Sequence, residues 1–289
     1  DVGRARGINK KIPIKSINQL IKLFIFLIVT VLSISAVLGK SPIYFLSGLG
    51  AMTAVILLIF KDTILGFVAG VQLAANNMVT RGDWIEMPKY GADGEVLEVA
   101  LTTVQVQNWD KTITMIPAYA LISDSFKNWR GMEQAGGRRI KRSVRIDVSS
   151  IGFLDQPLID HLTKIDSIND YLSSKQQELS KQNQLLDTDL NITANGRKLT
   201  NVGTFRAYLE FYLKNHPNVH QHMTLIVRQL PADEYGLPIE LYLFCTDTRW
   251  AHYEAIQADI FDHVYAVLPE FQLRPFQSPT GSDFQKLNL

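Results

Sequence analysis

The feature that most constrains this chain is a pair of long uncharged segments close to its N-terminus. No charged residue occurs from Leu23 to Gly39 or from Ser41 to Phe60. A helix needs roughly 20 apolar residues to cross the hydrocarbon core of a bilayer. The first segment reaches that length because Lys22 can extend its ammonium group to the lipid headgroups. The sequence therefore predicts two transmembrane helices.

The basic residues predict the orientation of these helices. Only Lys40 lies between them, whereas six basic residues precede or begin the first: Arg4, Arg6, Lys10, Lys11, Lys15 and Lys22. The positive-inside rule then places both ends of the hydrophobic region in the cytoplasm. A signal peptide is the alternative for the first segment, but no small-residue cleavage motif follows it. Since the chain begins at Asp1, we expect it to be a fragment of a longer protein.

Small side chains distinguish the second hydrophobic segment from the first. Gly50 and Ala54 lie four residues apart, as do Ser47 and Ala51, so each pair forms a row on one helix face. Small residues allow helix backbones to approach closely. The rows predict packing against identical helices or the lining of a lumen, and a tight two-helix hairpin within one subunit is the alternative.

The charged pair Lys61-Asp62 ends the second segment. It predicts the cytoplasmic boundary, because charge inside the hydrocarbon core is costly. Residues 63–77 are too short to span again, and their apolar stripe suits a helix at the membrane interface or against a neighbouring protein. We therefore expect the helix to bend near residues 61–62 and to continue sideways. Gly66 and Gly70, one turn apart, would permit close packing of this extension.

The rest of the chain predicts two further domains. Short alternating segments at 83–86, 95–101, 104–107 and 112–116, with a turn at 91–94, predict a small β barrel or half-barrel within residues 78–130. Residues 131–274 are typical of a ferredoxin-like α/β domain. Within it we expect a solvated basic linker at 138–142 and a polar inserted hairpin or loop at 173–201. The predicted organisation also includes a basic cytoplasmic segment (1–17), a transmembrane helix (18–39), a second helix with its extension (43–77) and an irregular tail (275–289).

Nothing in the sequence predicts an enzyme or a cofactor. No phosphate loop, nucleophile elbow or ordered Ser-His-Asp set falls on suitable elements, and the net charge of +1 gives no indication of a nucleic-acid partner. His216, His220 and His222 have nearly the spacing of metal ligands. Because Pro217 follows the first and no Cys or acidic residue adjoins them, we interpret them as a solvated helix end. The single Cys245 lies in an apolar segment and is expected to be a buried thiol.

Several short motifs follow one another in a characteristic order: Ala69-Gly70-Val71, Arg81-Gly82-Asp83-Trp84-Ile85, Gly94-Glu95-Val96, Thr102-Thr103 and Ile116-Pro117. Across about residues 41–130 this series resembles the bacterial small-conductance mechanosensitive channel (MscS-like) family. The long soluble part is similar to the larger miniconductance members.

The resemblance implies a homoheptameric, mechanosensitive ion channel in the bacterial inner membrane, with several spans and a cytoplasmic C-terminal domain. Membrane tension would open it and release ions and small solutes after hypo-osmotic shock. Its partners would be its own copies, membrane lipids and permeant ions, with no cofactor and no nucleic acid.

The resemblance also assigns residues to the pore. Seven copies of residues 43–77 would surround it, with Gly50, Ala54 and Leu58 on the pore side and the last two at the constriction. The family's helix bends at a Gln-Gly pair, and Lys61-Asp62 occupies that place here. Losing the glycine implies a stiffer bend.

Two other classes of protein remain open. A membrane-anchored cytoplasmic ligand-binding or signalling protein would use the spans only as an anchor. Two chains per particle would favour it, whereas seven would favour the pore. A secondary transporter is disfavoured because the sequence has no inverted repeat.

Overall fold

The computed structural model describes residues 14–186, 189, 192, 194–279 and 281. They form two compact units, which divide between Asn128 and Trp129. The first unit contains α1 (Ile14–Leu38), α2 (Pro42–Ile59), α3 (Lys61–Ala75), β1 (Trp84–Met87), β2 (Ala92–Val99), β3 (Thr103–Asn108), β4 (Ile113–Pro117), α4 (Ala118–Ser123) and β5 (Lys127–Asn128). The second contains α5 (Arg130–Ala135), β6 (Arg138–Ile146), α6 (Gln156–Leu162), α7 (Asp166–Gln184), α8 (Asn201–Lys214), β7 (Ile226–Gln229), β8 (Leu237–Cys245) and α9 (Trp250–Val267).

Helices α1 and α2 are long and apolar enough to cross a membrane. In the most apolar 18 residues of α1 only 11% are buried, and in α2 none are. Removing apolar surface from water is favourable, so helices that bury so little within their own chain require another apolar environment. Gly39 ends α1 in the left-handed conformation, and the N–H of Lys40 donates to the carbonyl of Ser35 at 3.2 Å.

A single residue separates α2 from α3. Phe60 has φ −94° and ψ 6°, in the bridge region rather than the α-helical minimum. The bend was predicted near Lys61 and Asp62, and the helix is interrupted directly before this pair. Neither glycine nor proline lies at the interruption.

The strands of the first unit form one antiparallel sheet in the order β4-β3-β2-β1-β5. Alternate residues of β2 and β3 enter its core, where Val96, Val104 and Val106 are fully buried. The sequence predicted a small barrel or half-barrel. Because β4 and β5 are the two edges, the described strands form an open sheet, and the closed barrel of these two alternatives is not formed. To close the sheet into a barrel, β4 would have to pair with the other edge strand, β5. Strand β5 has only two residues and is too short for this pairing.

The turn between β1 and β2 lies earlier than predicted. A 3₁₀ turn at Pro88–Tyr90 ends at Gly91, which adopts φ 62°. The turn expected at 91–94 does not form because residues 92–94 already pair with β1.

The second unit contains a three-stranded antiparallel sheet in the order β6-β8-β7. Ile140, Val144 and Ile146 of β6 enter a core that also includes side chains from α6, α7, α8 and α9. Cys245 is buried as expected, and burial raises the pKa of its thiol.

The basic residues 138–142 lie in β6 and not in the predicted linker. The strand begins at Arg138 because apolar residues alternate with the basic ones and bury their side chains. The Arg138 guanidinium lies 4.3 Å from the ring centroid of Tyr253, and that of Arg142 lies 4.7 Å from the ring centroid of Phe261. Such cation–π contacts allow guanidinium groups to pack against α9.

The polar segment at 173–201 was predicted as an inserted hairpin or loop, and its first part is instead the continuation of α7 to Gln184. Ile168, Leu172 and Leu179 recur on one face of α7 and are buried. The prediction failed because the polar residues between them cover the solvent side of an amphipathic helix. Residues 187, 188, 190, 191 and 193 lie outside the described part of the chain.

The first residues of the predicted tail pair with the edge of β6. Arg274 accepts a backbone hydrogen bond from Asp147 at 2.8 Å, and the N–H of Phe276 donates to the carbonyl of Arg145 at 2.8 Å. Residues 277–279 have no regular secondary structure, and residues 280 and 282–289 lie outside the described residues.

Substituting Leu172 by alanine tests the corrected position of α7. Leu172 is fully buried, so Leu172→Ala should destabilise the second unit by about 2–5 kcal/mol. Leu185→Ala is the matched control, because Leu185 is 86% exposed and should change stability by less than about 0.5 kcal/mol. Hydrogen exchange should show protected amides along residues 166–184 that lose protection in the first variant only. Unprotected amides at 173–184 in the parent protein would mean that the segment is a loop.

Candidate functional site

The candidate pore residues lie on an uncovered face of α2. An α-helix turns by about 100° per residue, so residues four apart are offset by about 40° around its axis. Together, Gly50, Ala54 and Leu58 therefore span about 80° of the circumference of α2. We call these three residues the α2 row. Leu58 is 74% exposed, and a Cβ added at Gly50 would meet no atom within 4 Å.

The partly buried residues of α2 lie in its first turn, at Pro42 and Phe45. Phe45 lies about 180° from the centre of the α2 row and is partly buried, whereas every residue from Leu46 to Phe60 is exposed. The α2 row is therefore free to contact something other than its own chain.

Helical hydrogen bonding continues across the interruption at Phe60. Its N–H donates to the carbonyl of Ile56 at 3.0 Å, and its own carbonyl accepts from the N–H of Ile64 at 2.9 Å. A displacement at the end of α2 is thus carried into α3 without an intervening loop.

The inner face of α3 lies against the β domain of the same chain. The buried residues recur at helical spacing and are Gly66, Ala69, Gly70 and Leu73. A Cβ on Gly66 would lie 3.3 Å from the Cβ of Thr102, and one on Gly70 would overlap the carbonyl oxygen of Leu101. Only glycine at position 70 allows the loop between β2 and β3 to approach this closely.

That loop is itself held by backbone hydrogen bonds. Ala100 donates to the carbonyl of Thr103 at 2.9 Å, and Ala118, the first residue of α4, donates to the carbonyl of Thr102 at 2.8 Å. The loop is therefore fixed between α3 and α4. Gly66 and Gly70 thus have a packing partner within their own chain.

A buried carboxylate holds the connection between α3 and β1. Asp83 is 7% exposed, and its Oδ2 accepts hydrogen bonds from the Thr80 N–H at 2.8 Å and from the Asn128 amide at 3.0 Å. The same Asn128 amide donates to the carbonyl of Met78 at 3.1 Å. The Asp83 side chain thereby links the end of α3 to strand β5, which lies at the far edge of the sheet from β4.

The outer face of α3 is apolar and exposed. Its large side chains are between 43% and 50% exposed and are Ile64, Leu65, Phe67, Val68 and Val71. They include the stripe that predicted contact with a membrane interface or a neighbouring protein. Lys61 and Asp62 at the start of α3 are exposed, and neither makes an ion pair within the described part of the chain.

The three histidines of the second unit do not assemble into a metal site. Within the described residues, no three His, Cys, Asp or Glu side chains lie close enough together to hold a metal ion. His216 is 9% exposed and so is not solvated as predicted. It lies in an aromatic cluster, where its ring centroid is 5.6 Å from that of Tyr212 and the Tyr212 ring stacks on His263 at 4.2 Å.

Known proteins with similar sequences are mechanosensitive channels or members of a family of such channels. Residues 62–131 match the family model described as "Mechanosensitive ion channel, beta-domain". An uncharacterized MscS family protein of Helicobacter pylori is 29% identical over 136 residues. This chain is similar to members of the MscS family. The small-conductance mechanosensitive channel MscMJ of Methanocaldococcus jannaschii is 27% identical over 115 residues, and the low conductance mechanosensitive channel YnaI of Escherichia coli is 22% identical over 201 residues.

These MscS-family relatives are longer proteins. The alignment with the Helicobacter pylori protein covers 46% of this chain and 21% of that protein. The alignment with MscMJ covers 40% of this chain and 32% of MscMJ, and the alignment with YnaI covers 70% of this chain and 44% of YnaI. The fold is also that of solved family structures. MSL1 of Arabidopsis thaliana superposes with a TM-score of 0.56 at 12% identity, covering 91% of this chain and 76% of that one. MscS of Helicobacter pylori in its closed state superposes with a TM-score of 0.53 at 14% identity, and the match covers 94% of this chain and 86% of that one.

Sequence reasoning missed the two contacts that hold α3 in place. The partner of Gly70 is a backbone carbonyl, which has no signature in side-chain pattern. Asp83 was noted only as part of a motif. A polar side chain directly before an apolar strand was the available signal, but its partner Asn128 lies 45 residues later.

Substituting Gly70 by alanine tests the contact between α3 and the loop. Gly70→Ala should destabilise the first unit by about 1–3 kcal/mol, because the added methyl group overlaps backbone that cannot move without breaking the hydrogen bonds of the loop. Gly66→Ala is the matched control. Its Cβ would lie 3.3 Å from the Thr102 side chain and 3.6 Å from the Thr102 Cα, without overlap, and alanine favours the helix by about 1 kcal/mol. Thermal unfolding and hydrogen exchange at Ala100 and Ala118 measure the effect. Equal stability of the two variants would contradict the contact.

The pH dependence of the second unit tests the aromatic cluster. Burial lowers the pKa of His263 below its ordinary 6.5, with a smaller opposing effect from Asp259. The folded protein then binds fewer protons than the unfolded chain below that value, so stability should be full above about pH 6.5 and decline as the pH falls. His263→Gln keeps an acceptor for the Tyr208 hydroxyl, which lies 2.6 Å from His263 Nε2, and should reduce the decline. His222 is exposed, so the control variant His222→Gln should leave the decline in stability unchanged. Thermal unfolding at several pH values measures the decline. An identical decline in the His263 variant would contradict this assignment.

Proposed function

We propose that copies of this chain assemble into a ring around a pore that membrane tension opens. The observation that carries the proposal is the contrast between α2 and α3. The entire α2 row is uncovered, yet the helix continues through Phe60 into a segment whose inner face is fixed to the β domain. A helix that only anchors a protein in lipid requires neither small residues along an uncovered face nor a continuation that packs closely against the β domain.

The proposed mechanism is an equilibrium between two states. In the closed state, Ala54 and Leu58 from each copy form an apolar constriction narrow enough to exclude water. Membrane tension favours the state with the larger in-plane area and so shifts the equilibrium towards an open pore. Because α3 is held at Gly70 and Asp83, outward movement of α2 is resisted by the β domain below.

The small residues of α2 support a ring of closely packed copies. Gly50 and Ala54 leave the helix surface flat, which permits neighbouring copies to approach. We propose seven copies, the number that the family resemblance implies, related by head-to-tail contacts that close on themselves. The exposed apolar stripe of α3 would then contact a neighbouring copy or the membrane interface.

The proposed location is the inner membrane of a bacterium, with the second unit in the cytoplasm. The positive-inside pattern supports this orientation. We further propose that the second unit is a ferredoxin-like domain. The order β6-β8-β7 matches three strands of such a sheet, and residues 274–276 pair along the free edge of β6, where a fourth strand belongs. The permeant species would be ions and small solutes released after hypo-osmotic shock.

A polar substitution in the constriction tests the proposed function. Leu58→Ser should lower the tension needed for opening, because a hydroxyl favours water in the constriction and each copy loses about 1.5–3 kcal/mol of apolar burial from the closed state. Ile56→Ser is the matched control, since Ile56 lies on the far side of α2 from the row and should change the tension less. The measurement is patch-clamp recording under graded suction.

Two outcomes would count against this proposal. If neither the parent nor either variant gives tension-activated current, the chain is not a mechanosensitive pore. If Ile56→Ser lowers the tension and Leu58→Ser does not, the pore-lining face of α2 has been assigned to the wrong side.

A further inference from the structure

The charge at the inner end of the α2 row bears on which ions pass. No charged residue occurs in α2 from Pro42 to Ile59, and the first one along the helix is Lys61. A pore built from α2 therefore has no charge on its walls until this position. A charge that faces the lumen at this position therefore acts on passing ions without any opposing charge on α2.

Helix geometry places Lys61 on the face of the α2 row and Asp62 to one side of it. At about 100° per residue, position 61 lies about 20° from the centre of the row and position 62 about 80° from it. Phe60 departs from helical angles, but its N–H still donates to Ile56 and its carbonyl accepts from Ile64, so the four-residue spacing of hydrogen bonds continues into the start of α3. Side chains at adjacent helix positions do not face each other, and within the described residues Lys61 and Asp62 form no ion pair with one another.

Lys61 is available to act on ions. Its side chain is exposed, and within the described part of the chain it forms neither an ion pair nor a hydrogen bond through its ammonium group. Lys40, by contrast, lies in the connection between α1 and α2, at the opposite end of α2. Of the two, only Lys61 lies directly below the proposed constriction.

We propose that Lys61 from each copy forms a cationic ring at the inner mouth of the pore and makes the channel prefer small anions over cations. This inference rests on the proposed function, since a single ammonium becomes a ring only when α2 lines a shared lumen. Rings of lysine or arginine raise the local concentration of anions and oppose cations in narrow pores. Asp62, at the flank of the row, faces the contact between neighbouring copies or the interface more than the lumen.

The test is the ratio of chloride to potassium permeability, measured from reversal potentials of tension-activated current in asymmetric KCl. The parent channel should give a ratio above unity. Lys61→Gln should lower it by at least about twofold, Lys61→Glu should bring it below unity, and Lys61→Arg should retain it. The preference should weaken as the salt concentration rises, because the Debye length falls from about 30 Å at 0.01 M to about 8 Å at 0.15 M.

Two control variants separate a ring from a general effect of charge. Lys40→Gln removes the same charge at the other end of α2, and only the backbone of Lys40 is bonded to Ser35, so the ratio should stay unchanged. Asp62→Asn should change the ratio less than Lys61→Gln does.

The possible failures are distinguishable. Tension-activated current whose permeability ratio is at or below unity in the parent, or is unmoved by Lys61→Gln, overturns the cationic ring and leaves the proposed function standing. A larger effect of Asp62→Asn than of Lys61→Gln also overturns it. Absence of tension-activated current in the parent overturns both proposals.

Discussion

The close approach of the β2–β3 loop to Gly70 is the interaction on which the rest of the structure depends. It joins α3, which continues from a helix whose residues 46–60 are all exposed, to a β domain with a complete core. Together with the buried side chains of Ala69 and Leu73, it holds α3 against the sheet, so that in the proposed channel a movement of α2 would reach the β domain. The carboxylate of Asp83 acts in the same way at the other end of α3, by fixing the point where the helix gives way to β1.

Local sequence pattern predicted the elements made from contiguous residues. The two uncharged segments correspond to α1 and α2, and the alternating segments to strands of the first sheet, because hydrophobic length and periodicity depend only on neighbours along the chain. The bend was predicted from the charge of Lys61 and Asp62 to within a residue or two. The cause of the bend was not predicted, because Phe60 adopts bridge-region angles although neither glycine nor proline lies there.

Features that depend on distant partners escaped the sequence. The polar residues 173–184 are typical of a loop until the core that receives Leu172 and Leu179 is known. The basic residues of β6 resembled a linker because the rings of Tyr253 and Phe261, which pack against Arg138 and Arg142, lie more than 100 residues away along the chain. The proposed pore face of α2 is a different case, because its proposed partner is another copy and the proposal rests on the uncovered row.

In the proposed channel, copies of α2 gather around one axis and enclose a conduit. Electron microscopy of the detergent-solubilised protein tests this arrangement most directly. We expect sevenfold symmetry, with Gly50, Ala54 and Leu58 of every copy facing the central axis and α3 turning outward below them. Particles with one or two chains, or a ring in which the α2 row faces detergent and other helices line the axis, would contradict it.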